Sequence, residues 1–501
     1  MKKWIKFLIA LGIFSLAGHF LARAAPLEWQ MQTLTARQGS TVFTQGEKPS
    51  ITAVGNRVMI SAFWKLSATN QRIEILTNVF GASDNWTVFP VLPSQTKPIT
   101  GDTSAVAYGN DTFYACYYLK DIDSTTAIDD RRLELWSRDT QNTITSTVID
   151  EGTGGGEGTS PDTGTYCKMA IYKDGGIYIS YYDEANKDVK YASKGPNDTV
   201  WTVRNIAGGS SDFGPWSSIT LDPADGQLGA SYYNATRGSV HDIHFTATGG
   251  SSGSRLDGTD SATDSLTSNV GAYNDIAVDR NGKTHVCYYD LVNHKFKYRK
   301  TGLPAEDLNN NSLGASCALA VYNDRVYVVY NEIARDDSRR LLMTSKPIDG
   351  GSFFTPSIIA GGEGAGLGPT DADILVNDYG IHVVFAETTA SGGNLKYALV
   401  ATSPEMETGS TGDKENDGDQ GVTDIDDPNS DDILHPVDSE PDHLDGCDPN
   451  DDEDDEDPGC QPTEGGAPVI DPTPPPTPLP SLPPSPLPRG NKSSGGCSLR
   501  R

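Results

Sequence analysis

From residue 51 to residue 387 the chain is written in short runs in which apolar and polar positions alternate with period two, broken by Gly, Asn or Asp turns. Seven stretches carry the same pattern: ITAVGNRVMISAFWK (51–65), AVAYGNDTFYACYYL (105–119), MAIYKDGGIYISYYD (169–183), SITLDPADGQLGASYYN (218–234), DIAVDRNGKTHVCYYD (275–290), ALAVYNDRVYVVYN (318–331) and DILVNDYGIHVVFAE (373–387). Each reads as a strand, a tight turn and a second strand that ends in aromatics and a polar residue. With Trp64, Tyr118, Tyr182, Tyr233, Tyr289, Tyr330 and Phe385 taken as equivalent, the steps are 54, 64, 51, 56, 41 and 55 residues. A third strand follows in most copies, as in VKYASKG (189–195), and a fourth in several, as in NWTVFPVL (85–92) and VWTVRNIAG (200–208). Four strands per unit, repeated radially, predict an all-β fold: a seven-bladed β-propeller of four-stranded blades. Separate β-sandwich modules would need about seven strands each, and no Pro/Ser linker interrupts the chain before residue 403.

The seventh unit supplies only three strands before the pattern stops. Trp29-Gln30-Met31-Gln32-Thr33-Leu34 has the look of the Trp-led fourth strands at Trp86 and Trp201. Residues 28–35 are therefore expected to complete blade seven and protect an open sheet edge.

The two ends differ from this middle. Lys2, Lys3 and Lys6, an apolar run from Phe7 to Leu21 and Ala22-Arg23-Ala24 read as a cleavable secretory signal over residues 1–24. The run is too short and interrupted for a membrane anchor. From Ser403 onward 25 acidic residues face 5 basic ones, so 20 of the 29 net negative charges lie in the last 99 residues. Residues 403–460 form an acidic segment, residues 461–490 a Pro-rich stalk and residues 491–501 a distinct terminus. With no apolar periodicity, this tail is expected to be largely disordered. Ten prolines between Asp471 and Pro488 favour polyproline II, which at about 3.1 Å per residue reaches roughly 55 Å. The propeller is assigned residues 25–402. So acidic a chain is a poor partner for nucleic acid, and no further stretch is apolar enough to span a membrane. A monomeric propeller is expected.

Seven cysteines in an exported chain point to disulfides. Cys116 and Cys287 share one position on the second strand of blades two and five; Cys167 and Cys317 share one near the first strand of blades three and six. Two copies of the same offset predict Cys116–Cys167 and Cys287–Cys317. Cys447 and Cys460 bracket the Asp cluster as a third pair, and Cys497 is left over as a candidate anchor.

The aromatic ends of the second strands and the Trp-led outer strands resemble the sialidase-like, BNR-type group of bacterial β-propellers across about residues 28–402. Ser83-Asp84-Asn85-Trp86 and Asn197-Asp198-Thr199-Val200-Trp201 stand where that group carries its S-x-D-x-G-x-x-W box, without matching it. The resemblance implies a hydrolase that grips a substrate carboxylate with three arginines and works through a Tyr–Glu pair and an Asp acid/base. Arg57, Arg72, Arg131, Arg132, Arg204, Arg237 and Arg255 are available, but no motif designates three of them, and the catalytic residues stay unassigned. His285 and His382 share the second-strand position of Tyr178 and Tyr327, which favours packing over catalysis. His241 and His244, three apart on a strand, point to opposite faces and make poor co-ligands. Asp183, Asn234, Asp290 and Asn331 follow the aromatic pairs, where Asx turns account for them; a ligand-binding ring is the competing use.

In the tail, Asp413, Glu415, Asp417, Asp419 and Asp424 set oxygens at positions 1, 3, 5, 7 and 12 around Gly418 at 6, the spacing of a calcium loop. The segment resembles dockerin and thrombospondin type 3 loops and predicts calcium as the cofactor. The end Gly495-Gly496-Cys497-Ser498-Leu499-Arg500-Arg501 resembles Gly-Gly-Cys sorting signals of myxobacteria and similar Gram-negatives, without their transmembrane helix. The expectation is a propeller secreted by a bacterium or displayed on its surface, a non-catalytic binding module for a glycan or protein ligand. The competing class is a carbohydrate-active enzyme, a sialidase-like glycoside hydrolase or polysaccharide lyase.

Overall fold

The computed structural model describes residues 27–401, apart from 39–40, 44–45, 55–56, 66–70, 80–85, 91–103, 122–129, 154–160, 246–250, 259–267, 310–312, 315, 363 and 391. The signal segment, the acidic residues Asp413, Glu415, Asp417, Asp419 and Asp424, and Cys447, Cys460 and Cys497 lie outside the described residues.

Period-two alternation gives strands throughout, and they form seven four-stranded antiparallel sheets. Blades 1 to 7 begin with the inner strands Gly46–Val54, Ser104–Gly109, Thr163–Ile171, Ser217–Leu221, Val270–Val278, Cys317–Tyr322 and Gly368–Asn377. Each inner strand packs beside the next, and the seventh packs beside the first, so they line a central channel. The ring closes as expected: Gln30–Leu34 pairs antiparallel with Gly392–Ala401, from Gln30 opposite Leu399 to Leu34 opposite Leu395. A small hairpin, Ala36–Gln38 with Thr41–Phe43, stands apart from the blades. Among the described residues no helix occurs.

The core lies between blades. Tyr117, Tyr181, Tyr288, Tyr330 and Phe385 on second strands are fully buried, and the leading tryptophans wedge against neighbouring sheets. Trp86 of blade 1 packs edge-on against Tyr397 of blade 7, centroids 5.3 Å apart, and its Nε1 donates to Gln32 at 2.9 Å. Both expected disulfides are formed, Cys116–Cys167 and Cys287–Cys317, each with Cα atoms 6.4 Å apart and each tying one blade to the next.

The register corrects two details of the sequence reading. Ladder pairing sets Tyr330 and Phe385 level with Tyr117, Tyr181 and Tyr288, one residue before the place assigned by spacing, and sets Trp64 one residue after it. Asn331 does not start a turn, because its strand runs on to Ile333.

Candidate functional site

The inner strands present their channel-facing side chains in two levels. Pairing with the second strands makes Ser50, Ala105, Lys168, Ser218, Asp275, Ala318 and Asp373 one equivalent position. All of these except Ala318 line the channel, a cavity of about 360 Å³. Two residues earlier, toward the same end of the channel, come Lys48, Tyr166, Trp216, Tyr273, Ser316 and Asp371. These six surround a cavity of about 140 Å³ at the channel mouth. Blade 2 would contribute Thr103, which is outside the described residues.

Local backbone chemistry aims this ring. Blades 1, 3 and 5 carry one extra inner-strand residue, between Glu47 and Ser50, Thr165 and Lys168, and Ala272 and Asp275. In these bulges Lys48, Tyr166 and Tyr273 adopt φ of 49°, 56° and 52°. Left-handed backbone is costly for side chains of this size, by about 1–2 kcal/mol each. Blade 7 has a similar bulge between Pro369 and Ala372 without the positive φ. Bulged strands re-aim side chains, and strained non-glycine residues collect at functional sites.

At the mouth, Tyr166, Trp216 and Tyr273 are half-buried, with one part open to the cavity. Trp216 and Tyr273 form a corner, centroids 4.7 Å apart and planes at 54°. The Lys48 ammonium stands 5.7 Å from the Tyr166 centroid, within cation–π range. Burial pushes the Asp371 carboxyl above the ordinary aspartate range; Lys48 and Arg339 oppose the rise and Glu47 adds to it. Burial, helped by the Asp371 charge, raises the Tyr273 phenol, so it stays protonated at neutral pH.

The throat below serves the fold. Propeller inner strands leave edge N–H groups facing the axis, and ring residues of one blade accept from the next blade. Asp373 takes the Ile51 N–H at 3.0 Å, Asp275 the Leu319 N–H at 2.9 Å and the Ser218 hydroxyl at 2.6 Å, and Ser316 the Ala372 N–H at 3.0 Å. Burial alone would lower the Lys168 pKa, but Asp373 and Asp275 together raise it, so Lys168 is a cation in the throat.

Most residues singled out from sequence lie elsewhere. None of Arg57, Arg131, Arg132, Arg204, Arg237 and Arg255 lines the mouth or the channel, and the side chain of Arg72 lies outside the described residues. Arg131 is paired with Asp162 at 2.5 Å and Arg132 with Glu134 at 2.7 Å. His285 and His382 are packing residues: the first bridges Tyr298 and Asp279, the second Tyr397 and Asn377, both wholly buried. His241 stacks on Tyr232. Asp183, Asn234 and Asp290 close Asx turns through the N–H groups of Asn186, Arg237 and Asn293. Asn331 instead accepts from the Ser316 N–H and donates to the Thr370 carbonyl, bracing the mouth between blades 6 and 7. All four are buried, so they form no ligand ring. Asp198 of the Trp201 segment closes a turn onto the Gly195 N–H. Among the described residues no group of three or more His, Cys, Asp or Glu side chains converges as a metal site. The mouth ring itself escaped the sequence reading; aligning the seven inner strands one step before their apolar start is the signal that finds it.

Neither family models nor curated proteins match the chain. Solved structures that resemble it include the phage phi92 endosialidase, 10% identical with a TM-score of 0.44, over 78% of this chain and 72% of that one. The polysaccharide lyase Uly1 is 12% identical with a TM-score of 0.45, over 75% and 100%. A Trypanosoma rangeli sialidase mutant displaying trans-sialidase activity is 10% identical with a TM-score of 0.42, over 75% and 60%.

Proposed function

We propose that the protein binds carbohydrate at the channel mouth. The observation that carries this reading is the ring of Lys48, Tyr166, Trp216, Tyr273, Ser316 and Asp371: three aromatic faces and several polar groups converge on one open cavity, and three of the six hold strained backbone to get there. Aromatic faces take the apolar faces of sugar rings, while a few placed polar groups fix their hydroxyls. A folded apolar ligand would not need the polar half of this ring, and a purely ionic one would not need the aromatic half.

A second reading, turnover of the bound glycan, is favoured by one feature. Asp371, a carboxyl held above its ordinary range, shares the cavity with Tyr273, and such a group is suited to proton transfer. Binding remains the primary reading, since burial holds Tyr273 in its protonated form and no arginine lines the mouth among the described residues. The full chain presented to a glycan panel, with bound and released sugar both measured, tests the two together. Binding lost in Trp216→Ala supports the mouth; product release lost in Asp371→Asn supports turnover; absence of any bound glycan contradicts both.

The compartment belongs to the same proposal. Two disulfides suit an oxidising environment, and with residues 1–24 as signal peptide the propeller is exported. The acidic segment 403–460, with calcium held by Asp413, Glu415, Asp417, Asp419 and Asp424, and the Pro-rich stalk 461–490 would then space it from its anchor, Cys497.

A further inference from the structure

Asp371 decides more than its place in the ring. Among the described residues its carboxylate accepts no hydrogen bond and makes no close ion pair; the Lys48 and Arg339 charges act on it from farther off, and it lines the cavity bounded by Tyr273 and Trp216. Lys48 already stands over Tyr166, so one wall of this mouth holds a cation against an aromatic face. The wall formed by Trp216 and Tyr273 is a corner of two aromatic faces. Taken together, the mouth and throat levels hold Lys48 and Lys168 against Asp275, Asp371 and Asp373, so among the described residues carboxylates outnumber ammonium groups. Asp275 and Asp373 already accept backbone N–H groups and face Lys168, which leaves Asp371 as the carboxylate with capacity to spare.

We propose that the mouth selects a sugar bearing a free amine, whose ammonium pairs with the Asp371 carboxylate while Trp216 and Tyr273 take the ring. This rests on the mouth being a carbohydrate site and names the class of sugar. A half-buried carboxylate without a hydrogen-bond partner is costly to desolvate, and an ammonium delivered between it and two aromatic faces offsets that cost and adds cation–π attraction. A neutral sugar would desolvate that carboxylate and leave only the more distant Lys48 and Arg339 charges to offset the cost. An N-acetylated sugar would do the same and add bulk.

Titration calorimetry on the full chain at pH 7 separates the cases, using the glucosamine hexamer, the N-acetylglucosamine hexamer, cellohexaose and hexalysine. The amine hexamer is expected to bind about tenfold or more tighter than the acetylated and neutral hexamers. Asp371→Asn should bring the three sugars to within about twofold of one another, chiefly by loss of affinity for the amine hexamer. Trp216→Ala should weaken all three. Equal or tighter binding of the neutral sugars by the natural chain overturns the amine selectivity and leaves the carbohydrate site standing. Hexalysine binding tighter than the amine hexamer overturns the assignment to a sugar. No sugar binding at all removes the carbohydrate reading itself.

Discussion

Three residues of the mouth hold a backbone that glycine would hold more easily. Lys48 is the cleanest probe, because its side chain reaches into the cavity while Tyr166 and Tyr273 also pack in the core. Lys48→Gly should leave the melting temperature unchanged or raised, by relief of about 1 kcal/mol, and should weaken sugar binding; a large loss of stability would show that Lys48 serves the fold instead. His382 offers a second test at this scale. Burial pushes its pKa down to about 4, whereas the unfolded chain titrates near the ordinary value of about 6.5. Between those values the unfolded chain binds a proton that the folded one refuses, so stability falls as pH drops, by roughly 3 kcal/mol at pH 4. His382→Gln should remove that part of the slope in urea melts taken between pH 7 and pH 4; an unchanged slope contradicts the assignment. The packing role of both buried histidines was legible because two blades repeat them. The mouth was not, since its ring keeps no common residue type from blade to blade and a left-handed Lys or Tyr has no glycine to advertise it.

Between strands the same polar unit appears twice. The Tyr181 hydroxyl donates to Asp150 at 2.7 Å, and Lys190 pairs with Asp150 and Asp183; Tyr288 donates to Asp257 at 2.7 Å, and Lys297 pairs with Asp257 and Asp290. Each unit joins the end of one blade's outer strand to the second and third strands of the next. Where the outer strand of blade 6 offers Ala360 at that place, the facing residue of blade 7 is Phe385, which has no hydroxyl to satisfy. Tyr288→Phe should therefore cost about 1–3 kcal/mol, since Asp257 loses a buried donor, and the loss reads out as a lower midpoint in denaturant at unchanged slope. The disulfides also join neighbouring blades, from the second strand of one to the inner strand of the next. Replacing Cys116 and Cys167 together by Ser should lower stability by about 2–4 kcal/mol, and peptide mapping without reductant should recover both bridged pairs. That pairing was legible from the repeated offset of four cysteines. Asn331 was misread because its second strand extends to Ile333, which shifts the turn beyond it.

At the scale of the whole ring, closure depends on one short strand from the other end of the chain. Gln30–Leu34 buries Leu34 completely and covers the sheet edge of blade 7. Deleting residues 25–40 should lower the melting temperature strongly, and an unchanged transition would contradict that dependence. Calcium should leave the ring's stability nearly untouched while binding the full chain more tightly than residues 25–402, if Asp413 to Asp424 hold the ion. Blade number and closure were legible because every copy repeats the same alternation and because Trp29 matches Trp86 and Trp201. The central site was harder to see, because a ring of single residues scattered over some 320 positions becomes a cavity only when the sheets stand around an axis. The claim that this mouth is where sugar binds is tested most directly by a crystal structure of the protein with the tightest oligosaccharide from the panel. The predicted result is a sugar ring stacked against Trp216 and Tyr273 over the channel axis, within hydrogen-bond reach of Asp371; a sugar seated on the outer strands or at the opposite end of the channel would contradict it.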